Sequence, residues 1–168
     1  MSALKLNDAL IDAIIRSTLD GLSMANVVPD AVGAGRYVTA KHEVSSIIGF
    51  VGAIVGSVSI NMTVNAAKYL ADRIIGGGIK EDLSPEALDA ICEILNIIAG
   101  KLKAILSNSE LKIEKISVPS VVVGNNFSLT YYRGMQSIRV EFEIPEAAKT
   151  QHTLDYVFSV CMSMMRSS

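Results

Sequence analysis

The longest helical pattern in the chain is the feature that most limits how the chain folds. It starts at Ser84-Pro85-Glu86, where serine caps a helix, proline suits the first helical position and glutamate complements the positive end of the helix dipole. From there the pattern runs to about residue 107. With Asp89 set at 0°, six large apolar residues fall between roughly 140° and 240° around the axis: Ile91, Ile94, Leu95, Ile98, Leu102 and Ile105. Such a helix needs an apolar layer to pack on.

Segments with strand patterns lie on both sides of this helix and supply that layer. Before it, a stretch rich in Val, Ile and Thr follows a turn predicted at residues 33–35. Three strands are predicted in this stretch, at about 36–44, 46–53 and 56–62. After the helix, residues 112–124 are extended in pattern, and residues 138–144 alternate apolar with charged side chains. The second half of the chain is therefore predicted to be mostly sheet.

Two further helices are predicted from spacing and caps. Residues 6–24 place apolar side chains at helical spacing, and Thr63 can cap a short helix that the glycines at 76–78 end. Residues 154–164 fit both a helix and a strand, and periodicity alone leaves both open. The patterns together indicate one α+β domain over residues 1–168. We expect a largely antiparallel, twisted sheet of about six strands, with two long helices and one short helix packed on it.

The composition excludes several classes of protein. Half of the residues are apolar and 19% are charged, which is typical of a globular chain with a packed core. A net charge of −2 and an aromatic content of 5% offer neither a basic field nor stacking platforms, so no nucleic-acid partner is expected. The most apolar stretch, residues 47–60, is interrupted by three glycines and is too short to cross a bilayer. With no secretory signal at the N-terminus, we expect a cytoplasmic protein without membrane insertion.

The cysteines and histidines do not form a recognisable metal-binding set. Cys92 and Cys161 are far apart in sequence, and His42 and His152 are the only histidines. No zinc ligand spacing can be read from these four residues. We therefore expect no metal or cofactor bound by this chain, and we interpret the two cysteines as buried, reduced thiols.

The outward face of the long helix carries the candidate functional residues. On the same angular scale Glu93 lies near 40°, Asn96 near −20° and Gly100 near 20°, all close to Asp89 and opposite the apolar side, by the roughly 100° step per residue. A polar outward face is most often simply solvated. However, Gly costs about 1 kcal/mol relative to Ala in a helix interior. A missing side chain at Gly100 would let another surface approach the backbone, so the face also fits a docking surface.

The chemistry available on this face is sparse. One carboxylate and one carboxamide provide no nucleophile with its base and no metal cage, so a self-contained catalytic site is not expected. A carboxamide both donates and accepts hydrogen bonds, and Asn96 could therefore hold a water molecule for in-line attack, as a Gln does in GTPases. Glu93 would then anchor a partner through a cation. The electrophile must arrive on that partner.

Residues 89–106 read D-A-I-C-E-I-L-N-I-I-A-G-K-L-K-A-I-L. This segment resembles the CheX branch of the CheC/CheX/FliY family of chemotaxis phosphatases, because it fits the family's D-x-x-x-E-x-x-N-x-x-x-G signature at each fixed position. The glycine-spaced segment at 47–60 and S-V-P-S-V-V-V-G at 117–124 resemble flanking parts of the same family. The resemblance implies a CheC-like or CheX-like fold, and it implies a strand at residues 154–164.

The resemblance also implies an activity and a partner. Members of this family dephosphorylate the phosphorylated response regulator CheY, whose receiver domain supplies the aspartyl phosphate, the Mg²⁺ and an essential Lys. By that resemblance Asn96 and Glu93 are the catalytic residues: Asn96 orients the hydrolytic water and Glu93 pairs with the receiver's Lys. Asp89 and Gly100 are expected to contact the partner, although Asp89 equally fits a plain acidic residue in the first turns of a helix.

One departure from the family bears on the number of sites. CheC-like relatives carry a second E-x-x-N on the first helix, but the corresponding positions here are Arg16 and Leu19. One site per chain is therefore expected. The resemblance to CheX-type proteins implies a homodimer that exchanges sheet elements, and therefore two sites per assembly. A non-catalytic adaptor that binds receivers in two-component signalling is the alternative, and the intact Glu93 and Asn96 favour the enzyme.

Overall fold

A computed structural model describes residues 8–36, 39–40, 42–77, 83–125, 127, 129–130, 134–148 and 156–167. The helices are α1 (Asp8–Leu22), α2 (Val64–Ile75), α3 (Pro85–Ile105) and the single turn α4 (Pro145–Ala148), with a 3-10 turn at Ser23–Ala25. The strands are β1 (Asp30–Arg36), β2 (Thr39–Ala40), β3 (Val44–Gly52), β4 (Ile54–Met62), β5 (Ile113–Ile116), β6 (Ser120–Val123), β7 (Leu129–Thr130), β8 (Gln136–Glu143) and β9 (Val157–Arg166).

Seven strands form one antiparallel sheet. Its order is β1-β8-β9-β4-β3-β5, and β6 pairs with β3 beside β5. Thus β5 and β6 follow one another along the same outer edge, on opposite halves of β3. Strands β2 and β7 form a separate two-stranded sheet. The predicted α+β class with a largely antiparallel sheet is confirmed.

Helices α1, α2 and α3 supply the other layer. Helix α3 packs on β3 and β4 and is flanked by α1 and α2. Its buried side chains interlock with alternate residues of the central strands, such as Ile48, Ile60 and Val160. Helix α1 approaches α3 closely, because a Cβ at Gly21 would overlap the side chain of Ile98. The core therefore lies between this helical layer and one face of the sheet.

The predicted helix starts are confirmed by their caps. The Ser84 hydroxyl accepts a hydrogen bond from the Ala87 N–H at 3.2 Å, and Pro85 occupies the first turn of α3. The Thr63 hydroxyl likewise accepts from Ala66 N–H at 3.1 Å at the start of α2. Helix α2 ends at Gly76 with φ +89°, a left-handed conformation that favours glycine.

Two predicted boundaries near the start of the sheet are wrong. The turn expected at 33–35 lies inside β1. Within the strand expected at 36–44, the described residues include the end of β1, β2 and the start of β3, while residues 37, 38 and 41 lie outside the described residues. Strand β1 is an edge strand that pairs only with β8 among the described strands, and its side chains are mostly exposed. It therefore lacks the apolar alternation that marks a half-buried strand. By contrast, the C-terminal strand implied at 154–164 is confirmed as β9 from Val157 onward, while residues 154 and 155 lie outside the described residues.

The centre of the sheet face turned away from the helices carries buried polar side chains. The Ser45 hydroxyl donates to Asn61 Oδ1 at 2.8 Å, and Asn61 Nδ2 donates to Ser59 Oγ at 3.1 Å and to Cys161 Sγ at 3.5 Å. Burial raises the pKa of the Cys161 thiol to about 11. Both cysteines are free, with Cys161 buried and Cys92 half-buried. Cys161 therefore packs as a neutral group. The prediction of a buried thiol is confirmed for Cys161 and is wrong for Cys92, which is half-buried.

None of the helices in the described ranges is long and apolar enough to cross a membrane.

Candidate functional site

Helix α3 presents the predicted polar face to the outside. Asp89, Glu93 and Asn96 are exposed and Gly100 is half-exposed. The opposite side is the one packed into the core, with Ile91, Ile94, Leu95, Ile98 and Leu102 all fully buried. The predicted orientation of the helix is thereby confirmed. We refer to Asp89, Glu93, Asn96 and Gly100 together as the outward stripe.

The polar groups of the outward stripe are not engaged by their own chain. Within the part of the chain that the structure describes, Glu93 and Asn96 make no ion pair and no side-chain hydrogen bond, and neither does Asp89. Successive residues rise by about 1.5 Å, so Glu93 and Asn96 are about 4.5 Å apart along the axis and share one face. Their carboxylate and carboxamide are therefore both available to one partner.

Gly100 is not required by the fold. A Cβ built at this position would meet nothing within 4 Å, and its φ is not in the left-handed region. Both observations mean that alanine would fit without strain. The helix interior disfavours glycine, so the packing of this chain does not account for the glycine.

Contacts beside the stripe hold α3 against its neighbours. The Lys101 ammonium lies 3.6 Å from the Asp20 carboxylate on α1. On the other flank, the Ser46 hydroxyl on β3 donates to Cys92 Sγ at 3.7 Å. Sequence reasoning missed both contacts, because each joins residues that are far apart in the chain. They add to the packing of the buried apolar side, which sets the direction in which the stripe faces.

An open groove of about 640 Å³ begins where the stripe ends. One wall is α3 and the other is β5 together with the residue before it. Its lining consists of Gly100, Lys103, Ala104, Ser107, Lys112, Ile113, Glu114 and Ile116. Sequence reasoning missed this groove, although Ala104 falls near 60° on the scale used above, by the roughly 100° step per residue. We call it the α3/β5 groove.

The chemistry of this surface is limited to binding and positioning. In the described ranges no group of three His, Cys, Asp or Glu residues is close enough to hold a metal ion. The stripe offers one carboxylate, one hydrogen-bonding carboxamide and an uncovered stretch of helix backbone. The fold and the stripe together define an α+β domain with an exposed carboxylate and carboxamide on one face of its longest helix.

Comparison with known proteins gives the family. The family model described as "Chemotaxis phosphatase CheX" matches residues 44–143. The chain is 26% identical over 155 residues to the CheY-P phosphatase CheX of Thermotoga maritima. The matched region covers 91% of this chain and 94% of the relative. The chain therefore belongs to the CheX family of chemotaxis phosphatases.

Solved structures share the fold. A chemotaxis protein CheX from Desulfovibrio desulfuricans superposes with a TM-score of 0.79 at 23% identity, covering 93% of this chain and 99% of that one. CheX in the CheX-CheY-BeF3-Mg complex from Borrelia burgdorferi superposes with a TM-score of 0.65 at 21% identity, covering 91% of this chain and 98% of that one. At these identities the likeness establishes the fold, and the predicted CheX-like fold is confirmed.

Proposed function

We propose that this protein hydrolyses the aspartyl phosphate of a phosphorylated CheY-like receiver domain in the cytoplasm. The observation that carries the proposal is the outward stripe, in which an uncommitted carboxylate and carboxamide stand one turn apart on a rigid helix beside an uncovered glycine. Family membership supports the phosphatase class, and the Thermotoga maritima relative is a CheY-P phosphatase. The Borrelia burgdorferi complex joins CheX to CheY, which supports a receiver as the partner.

In this proposal Asn96 positions the attacking water. Its carboxamide oxygen accepts a hydrogen bond from the water, while its N–H group donates to a phosphoryl oxygen. The water oxygen attacks phosphorus as the bond between phosphorus and the aspartyl oxygen breaks. The products are the receiver's free carboxylate, inorganic phosphate and a proton. The receiver supplies the phosphoryl group and the Mg²⁺ that meets its charge, so orientation of a water is a sufficient contribution from this chain.

Glu93 has a separate task in the proposal. Its carboxylate pairs with the receiver's Lys and so fixes the register of the two domains. Because Glu93 and Asn96 lie on one helix, pairing at the first residue sets the position of the second. Gly100 allows the receiver to approach the helix backbone, and Asp89 makes a further contact at the edge of the interface with the receiver.

The test measures phosphate release from a phosphorylated receiver at several receiver concentrations. We expect Asn96→Ala to lower kcat about 100-fold, the loss typical of removing one oriented hydrogen-bonding group. Glu93→Gln, which keeps the shape and removes the charge, should mainly raise KM. Asn108→Ala, at an exposed position beyond the end of α3, is the matched control and should retain the wild-type rate. If Asn96→Ala also retained it, the assignment of Asn96 would be wrong. If the wild type bound the receiver without shortening its phosphorylated lifetime, the adaptor alternative would be correct.

We further propose that the protein acts as a homodimer. The edge formed by β5 and β6 exposes Val118, Val122 and Val123, an unusual set of side chains for an edge strand left in water. Sedimentation equilibrium should therefore give the mass of a dimer for the wild type, and Val122→Lys should shift it toward the monomer. A wild-type monomer at micromolar concentration would contradict this proposal.

A further inference from the structure

The α3/β5 groove continues the outward stripe without a break. Gly100 belongs to both surfaces. From Asn96, Gly100 is about 6 Å and Ala104 about 12 Å along the helix axis, at about 1.5 Å per residue. A partner domain that places its reacting group at Asn96 therefore covers the groove as well. The two side chains of the stripe alone cannot supply the roughly 800 Å² per partner of a stable protein interface.

The groove has an apolar floor and a basic rim. Gly100, Ala104 and the buried Ile113 contribute the floor. On the rim, the Lys112 ammonium is 3.4 Å from the Glu114 carboxylate, so this pair is internally balanced. Lys103 also lies on the rim, and it makes no ion pair with any residue that the structure describes. The uncompensated charge of the groove is thus a single cation beside an apolar surface.

The shape of the groove favours a protein surface over a small molecule. Sites for small molecules enclose most of the ligand, whereas this groove is open along its length toward the side that the stripe faces. Its volume of about 640 Å³ leaves room for several side chains of one extended segment. An exposed segment of a docked domain meets these conditions.

We propose that the α3/β5 groove is a second docking site for the same receiver domain. It takes a receiver segment in which an apolar side chain adjoins a carboxylate. The apolar side chain covers Ala104 and Ile113, and the carboxylate pairs with Lys103. This inference rests on the proposed function, and it assigns affinity and choice of receiver to the groove while the chemistry stays at Asn96.

Two substitutions test the groove without touching the stripe. Ala104→Arg fills the groove with a long side chain, and because Ala104 is exposed and Arg is a good helix former, the fold should be retained. We expect it to raise KM for the phosphorylated receiver by about tenfold or more, since a buried apolar contact is lost and a steric block is added. Lys103→Glu should raise KM by about three- to tenfold, the effect of reversing a charge at the rim of an interface. Both variants should keep the wild-type kcat.

The control is Lys115→Glu. Lys115 is exposed on β5 and pairs in register with Val51, so it faces away from the helical layer. This substitution makes the same change of charge as Lys103→Glu. It should leave KM unchanged. A wild-type KM for Ala104→Arg, or an equal rise in KM for Lys103→Glu and Lys115→Glu, would overturn the proposal.

A failure of the proposed function is distinguishable from a failure of this inference. If the wild type did not accelerate phosphate release, the proposed function would be wrong. Binding of the phosphorylated receiver, measured by calorimetry, would then test whether the groove is a docking site. In that measurement weaker binding by Ala104→Arg, with unchanged binding by Lys115→Glu, supports the groove. Equal binding by the wild type and Ala104→Arg, or no binding by the wild type, refutes it.

Discussion

Replacing Gly100 with alanine should make the protein more stable and less active. Gly100 lies inside α3, five residues before the helix ends at Ile105, and a Cβ there would meet nothing within 4 Å. Alanine removes the conformational cost of glycine in the unfolded chain and adds no clash. The expected gain in the free energy of unfolding is about 1 kcal/mol, which for a domain of this size raises Tm by about 2 to 4 °C.

The same methyl group should impair phosphate release. It stands on the outward stripe, one turn beyond Asn96, where the receiver is proposed to approach the helix backbone. Displacing the reacting groups by about 1 Å can cost about 100-fold in rate. Because the receiver can shift or tilt to accommodate one methyl group, we expect kcat/KM to fall about 10- to 100-fold.

Urea unfolding and phosphate release from a phosphorylated receiver measure the two effects on the same preparation. Gly35→Ala is the matched control, since a Cβ at Gly35 also meets nothing within 4 Å and Gly35 lies on β1, away from α3. It should leave the rate unchanged. A more stable Gly100→Ala protein with the wild-type rate would refute the idea of close approach. A less stable one would mean that the fold itself requires the glycine.

Three further predictions concern stability. Ser84→Ala removes the cap of α3 and should lower the free energy of unfolding by about 1 kcal/mol in urea titrations; an unchanged midpoint would contradict the capping role. Gly56→Ala should cost about 3 kcal/mol, because the added Cβ overlaps the Ser163 backbone carbonyl across the sheet; stability equal to the wild type would refute this. Cys161 has a pKa raised from 9.0 to about 11, so the folded state holds its proton more tightly than the unfolded state. Its contribution to stability is complete below pH 9 and declines as the pH rises toward 11. The stability difference between the wild type and Cys161→Ala should therefore shift against the wild type over that range, whereas a constant difference would contradict the burial of a neutral thiol.

The outward stripe was predictable because it depends on one helix alone. The cap at Ser84, the apolar side and the polar side of α3 all follow from local sequence and a fixed rotation per residue. A surface helix buries its apolar side, so the direction of Glu93 and Asn96 follows once Ile94 and Ile98 are assigned to the core. The structure agrees with that assignment. The catalytic roles of Glu93 and Asn96 stay predictions.

The features that were missed depend on contacts between distant segments. Strand β1 contains Gly33 and Gly35 and is mostly exposed, so its strand conformation comes from pairing with β8 and not from its own side chains. The α3/β5 groove exists only because β5 pairs with the end of β3 and thereby lies beside α3. The local sequence around Ala104 or Lys112 does not predict that α3 and β5 lie side by side.

Helix α3 separates two kinds of sequence change. Substitutions on its outward face leave the interior packing intact, because the side chains that pack in the core lie on the opposite side. A single inserted residue inside the helix behaves differently, because it rotates everything beyond it by about 100°. Such an insertion before Asn96 would carry Asn96 off the outward stripe and bring the buried Leu95 or Leu102 toward water. We therefore expect the helix to tolerate many replacements and no change of length between Glu93 and Gly100.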